Sequence, residues 1–243
     1  MKKLRSVILL LSGFFFFLSA KGQDAASIML NQQMNNQAGL INIQQMQRSF
    51  DAQNEAGKRA ATSGNSRLPE TNAWKVDHAP LISRKLRTQY IANIATSNGQ
   101  EVAGKTDKFF GDIQTTFGKM TAPFGLHQNN YVDVVTAYLV VMWMSVNRQT
   151  QVPSIANVQA VRRQCQHSLS SGKVSRPTAQ QLQLAAETFM YQACSAVAMR
   201  EQAVRDANPK LLDKLATQAS AILSKEHIYL NNVALTNNGF TKK

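Results

Sequence analysis

The chain has 243 residues, with 27 Lys+Arg against 14 Asp+Glu, for a formal net charge of +13. Such an excess of positive charge favours anionic partners such as envelope lipids, glycans or nucleic acid, or serves solubility alone, and bears on association rather than on fold. Few aromatics (7%) and many Ala, Gln and Met suit helices better than strands. The length fits one or two domains with a sizeable core.

The first 22 residues have the three parts of a secretory signal peptide. Lys2, Lys3 and Arg5 form the positive start, and Val7 to Leu18 form an apolar run. Ala20 and Gly22 then stand at the small-residue positions of a cleavage site, leaving Gln23 as the first mature residue. The run is shorter than the roughly 20 residues that span a bilayer, so cleavage is expected and no transmembrane span in the mature chain. The only cysteines are Cys165 and Cys194, which rules out a lipid anchor just after the cleavage site. Losing Lys2, Lys3, Arg5 and Lys21 takes the net charge from +13 to +9. The expected localisation is periplasmic or extracellular. Nucleic acid is not expected as a partner, because the chain leaves the cytosol and lacks a nucleic-acid-binding signature.

Residues 23–72 form a Gln/Asn-rich leader and linker, read as partly helical or disordered. Sparse apolar residues from Ile28 to Phe50 permit a weak amphipathic helix over 27–59, which polar tracts bury too little surface to fix firmly. Residues 73–243 are read as one helical domain. Pro80 suits a first helical turn, and Leu81, Ile82, Leu86, Tyr90, Ile91 and Ile94 follow at helical spacing up to Asn98-Gly99. Shorter helices are predicted over 100–109 and 112–120, before Pro123 and Gly125. The segment 130–147 is apolar nearly all round and is expected at the centre of a bundle. Asn129 or Asn130 can cap it; if Asn130 is the N-cap, Asp133 falls at N3, where a carboxylate meets free N–H groups and the positive end of the helix dipole. Tyr138 and Trp143 are expected to be largely buried.

Pro153-Ser154 opens the next helix, with Ile155, Val158, Val161, Cys165 and Leu169 as its apolar stripe. Pro177 is read as starting a long helix with Leu182, Ala186, Phe189, Ala193, Val197 and Val204 along one side. A last helix is predicted over 211–224 after Asn208-Pro209. The tail, 228–240, alternates weakly and carries the turn signal Asn237-Asn238-Gly239. No convincing alternating strand set is visible, so the fold class is all-α: a multi-helix bundle.

Catalytic signatures are few. His78, His127, His167 and His227 stand in no metal-binding pattern, and no metal or cofactor is expected. There is no nucleophile elbow and no phosphate loop. Cys165 falls on an apolar stripe, where thiols are inert packing groups. Glu187, in the long helix, is the acidic residue nearest the core, but one Glu makes no catalytic constellation. If the helices ending near 170 and starting near 178 paired as a hairpin, Cys165 would face the region near 183, and Cys194 would lie about 11 residues further on. That is roughly 16 Å along the axis, against the ~7 Å a disulfide allows.

The run Phe117-Gly118-Lys119-Met120-Thr121-Ala122-Pro123-Phe124-Gly125-Leu126 leads into Tyr131-Val132-Asp133-Val134-Val135-Thr136-Ala137-Tyr138 and Trp143. Ala160-Val161-Arg162-Arg163-Gln164 and Ala234-Leu235-Thr236-Asn237-Asn238-Gly239-Phe240 follow. With these residues the chain resembles, over roughly 80–240, a family of uncharacterised exported bacterial helical proteins, a domain of unknown function. The resemblance implies an α-helical domain in the envelope or outside the cell and carries over no catalytic residue. The leading expectation is an exported, non-enzymatic helical protein that binds a protein partner or an anionic envelope component. Arg84, Lys85, Arg87, Arg162 and Arg163 are the candidate anionic-surface contacts. The alternatives are an envelope hydrolase with an unrecognised site, perhaps built on Glu187, and a secreted effector.

Overall fold

A computed structural model describes residues 74–170 and 177–243. The signal peptide, the leader and the linker of the sequence reading lie outside the described residues.

Seven α-helices and a two-stranded sheet make up the described chain: α1 (Pro80–Asn98), α2 (Gln100–Phe110), α3 (Ile113–Thr121), α4 (Tyr131–Val146), α5 (Ile155–Ser170), α6 (Ala179–Arg205), α7 (Pro209–Lys225), β1 (Val233–Thr236) and β2 (Gly239–Lys242). The protein is an all-α bundle, as its sequence periodicity predicts. No helix among the described residues is long and apolar enough to cross a membrane.

The helix starts follow from local chemistry. Asp112, Asn130 and Asn208 accept backbone N–H bonds at the starts of α3, α4 and α7, each meeting a donor that the first turn leaves free. Thr178, rather than Pro177, caps α6, in a reciprocal capping box with Gln181. The proline precedes the helix.

α4 is central: every residue from Tyr131 to Val146 is buried except Trp143, which is half-buried. Tyr138 is buried as expected. Trp143 is not fully enclosed, because its ring faces the C-terminal hairpin, where its Nε1–H donates to the Val233 carbonyl at 3.0 Å. α6 shares the centre. Its burial runs round the helix from Leu182 to Ala203, although the sequence suggests one apolar side. Ala185, Ala186, Ala193, Ala196 and Ser195 are small enough for neighbouring helices to close on several faces. Val204, assigned to the apolar side, is instead exposed.

α5, α6 and α7 all pack on α4, and α7 also packs on α6. α5 and α6 therefore do not form the simple hairpin considered from sequence. Cys165 and Cys194 are both buried and both free. Burial pushes the Cys165 thiol up to about 12 and raises that of Cys194 as well.

The tail contains a hairpin too short for the alternation to reveal. Val233 pairs with Lys242 and Thr236 with Gly239, around the two-residue loop Asn237-Asn238. Gln164 on α5 holds β2 at one residue: its side-chain oxygen accepts from Phe240 N at 2.8 Å, and its amide donates to Phe240 O at 3.1 Å. Gly239 has φ 88°, and a Cβ there would collide with the Gln164 side-chain amide, so glycine meets both the backbone and the packing requirement.

Candidate functional site

The chain enters the domain through an extended strap, residues 74–79, laid across the bundle. Trp74 stacks on Tyr131 with ring centres 5.9 Å apart. Lys75 bridges to Asn130, and Val76 N donates to Asn129 O at 2.8 Å. Gln183 of α6 then grips Ala79 at two points, accepting from its N–H at 3.0 Å and donating to its carbonyl at 3.1 Å. The strap is thus paired as a strand would be, by a loop on one side and a side-chain amide on the other.

One turn further along α6 lies Glu187, which is fully buried. Four donors converge on its Oε1: Ser83 Oγ at 2.7 Å, Gln183 Nε2 at 2.9 Å, His78 Nδ1 at 3.0 Å and Gln114 Nε2 at 3.2 Å. They come from the strap, α1, α3 and α6 itself. Ser83 Oγ accepts in turn from Gln183 and Gln114. The other ring nitrogen of His78 lies 3.3 Å from the Gln128 carbonyl. Glu187 Oε2 is buried with no hydrogen-bond partner among the described residues. Burial alone opposes a charge on Glu187. The hydrogen bonds from His78, Ser83 and Gln183, with the charge of His78, outweigh it and hold the carboxyl below its usual range.

Sequence singles out Glu187 but not its company. His78, Ser83 and Gln114 are 109, 104 and 73 positions away, and no spacing rule joins them. His78, which stands in no motif in the sequence, is a hydrogen-bond partner of the buried carboxylate. The chemistry of the cluster is that of a clamp. An activated serine needs a base on its hydroxyl, oriented by a third group; here Ser83 donates directly to the carboxylate, and His78 bonds the same oxygen rather than Ser83. A carboxyl serving as general acid near neutrality needs a raised pKa, and Glu187 is shifted the other way.

A second buried carboxylate, Asp133, joins α4 to α5. Of the two candidate caps, Asn130 caps α4, accepting from Val132 N and Asp133 N. Asp133 reaches outside the helix: its Oδ2 accepts from His127 N at 3.0 Å, and its Oδ1 lies 2.5 Å from Arg162 Nε. A structural role for Asp133 therefore stands, with Arg162 as its main partner. Among the described residues no grouping of three His, Cys, Asp or Glu side chains could hold a metal ion.

The five candidate cations separate into two kinds. Arg162 is held by buried Asp133, and Arg87 pairs with Asp107 at 2.6 Å. Arg84, Lys85 and Arg163 are exposed and make no ion pair among the described residues. Arg84 and Lys85 adjoin on α1, whereas Arg163 stands on α5. Of the five, Arg84 and Lys85 are the two exposed cations that stand side by side.

The fold and its buried clamps define an all-α bundle entered through a pinned strap. The chain belongs to a family of unknown function, DUF6683, whose model matches residues 8–241. The match extends well beyond the 80–240 region of the resemblance and takes in the Gln/Asn-rich leader. No curated protein and no solved structure matches the chain.

Proposed function

We propose that this chain is exported, works without catalysing a reaction, and binds an anionic component of the cell envelope through the outer face of α1. One observation carries the reading. Among the described residues, the two fully buried carboxylates, Asp133 and Glu187, are tied up in holding elements together, while Arg84 and Lys85 stand exposed and make no ion pair there, on a helix that contains no acidic residue. A basic mature charge of +9, reached by loss of the first 22 residues, would draw anions to that face.

The signal-peptide pattern of residues 2–22 supports export. Intact mass of the protein recovered from its native host tests it: a chain beginning at Gln23 is expected, and a full-length species retained in the cytosol overturns it. Binding is tested by titrating the purified protein with lipopolysaccharide at low and high salt. Affinity should fall as salt rises, because exposed charges are screened within ~10 Å at 0.1 M. Absence of binding at low salt removes the anionic partner and leaves a protein partner as the reading to pursue.

A further inference from the structure

We infer that the partner met by α1 is a lipid surface, with Leu81 entering the interface between Arg84 and Lys85. This rests on the anion-binding reading above and narrows it. Leu81 is the most exposed large apolar side chain among the described residues, at 76%. It occupies the second position of α1, and Arg84 and Lys85 follow at i+3 and i+4, so the three share one helix face. Continuing along the helix, Thr88, Gln89, Ala92 and Thr96 are also exposed. The whole 19-residue helix lacks Asp and Glu. The opposite side is fixed by Leu86, Tyr90 and Ile94 in the core, so the basic face cannot turn inward.

This composition discriminates between anionic partners. A soluble polyanion needs only the cations and gains nothing from a protruding leucine. A bilayer offers both terms: headgroup charge for Arg84 and Lys85, and an apolar boundary for Leu81. Each cation close to an anionic membrane contributes about fivefold in partition. Burial of much of a leucine side chain contributes about tenfold more.

The test compares the purified protein with Leu81→Asn and with the double variant Arg84→Glu/Lys85→Glu. Each is titrated against phosphatidylcholine vesicles with and without phosphatidylglycerol, and against heparin as a soluble polyanion. All three positions are exposed, and circular dichroism checks that each variant keeps its helix. Binding to the phosphatidylglycerol vesicles should weaken about tenfold in Leu81→Asn, with heparin binding unchanged. The double variant should lose both. Two results overturn the lipid assignment while leaving the anionic reading intact: Leu81→Asn binding vesicles like the parent, or the parent binding heparin but no vesicle. If the parent binds neither at low salt, the anionic reading fails and the lipid assignment with it.

Discussion

Glu187→Leu removes the acceptor on which the strap, α1 and α3 converge. The substitution strands His78 Nδ1 and takes one acceptor each from Ser83, Gln114 and Gln183. The loss is partly offset, because Gln183 keeps its two bonds to Ala79 and its contact with Ser83, and because the desolvation of a buried carboxylate disappears. Breaking a buried charged group from its partners costs about 3–5 kcal/mol, and the remaining bonds of Gln183 place Glu187→Leu at the lower end, about 3 kcal/mol. Glu187→Gln keeps the shape and one acceptor oxygen but not the charge, and should cost about 1–2 kcal/mol, the difference between charged and neutral hydrogen bonds. Urea denaturation with a common slope reads both. The same pair of proteins gives a pH signature. The folded carboxyl lies below its ordinary value of 4.5, so its contribution is complete above that value and is lost as pH falls through the folded pKa. The parent should therefore lose stability below about pH 4.5 more steeply than Glu187→Gln. A Glu187→Leu variant as stable as the parent would refute the clamp and show that desolvation cancels what the four donors contribute.

Further perturbations address the other contacts. Gly99 and Gly239 share φ 88°, but only at Gly239 does a Cβ meet a neighbour; Gly239→Ala should cost about 1–2 kcal/mol more than Gly99→Ala, by displacing Gln164 from Phe240, as compared by thermal unfolding. Asp133→Asn should destabilise by about 3 kcal/mol in the same assay, because it removes the buried charge that Asp133 sets against Arg162. Trp143→Phe should cost about 1 kcal/mol, the loss of the bond to Val233, whereas Trp143→Ala should exceed this by loss of packing on Phe240. Neither Cys165 nor Cys194 should react with a thiol reagent in the folded protein, and both should react in denaturant, since each is buried and free.

The helices were legible wherever a cap and a periodic stripe coincide. Asn130 followed by an unbroken apolar run identifies α4 and its central place. α6 was harder, because alanine and serine register as neither core nor surface in a periodic reading, and only the packing shows that they line a helix enclosed on several sides. The hairpin is not legible as a sheet, since strands of four residues carry too little alternation, although Asn237-Asn238-Gly239 marks the turn. Asp133 and Arg162 each stood in the motif runs, but their pairing joins α4 to α5 across 29 positions. The Glu187 cluster was least legible. It depends on a strap with no regular pattern of its own and on two glutamines, Gln183 and Gln114, whose use as backbone and carboxylate clamps leaves no mark in sequence. The cationic face was visible as a run of charges. Only the structure divides it, by giving Arg87 to Asp107 and Arg162 to Asp133 and leaving Arg84 and Lys85 exposed.

If the outward face of α1 binds anions, affinity for lipopolysaccharide in charge-reversal variants reports that binding. At low salt, Arg84→Glu/Lys85→Glu should weaken binding by more than tenfold, at about fivefold for each cation removed from an anionic surface. Arg163→Glu, on a different helix, should change it by fivefold or less. Equal binding by the parent and the α1 double variant, or a larger loss from Arg163→Glu, would contradict the claim.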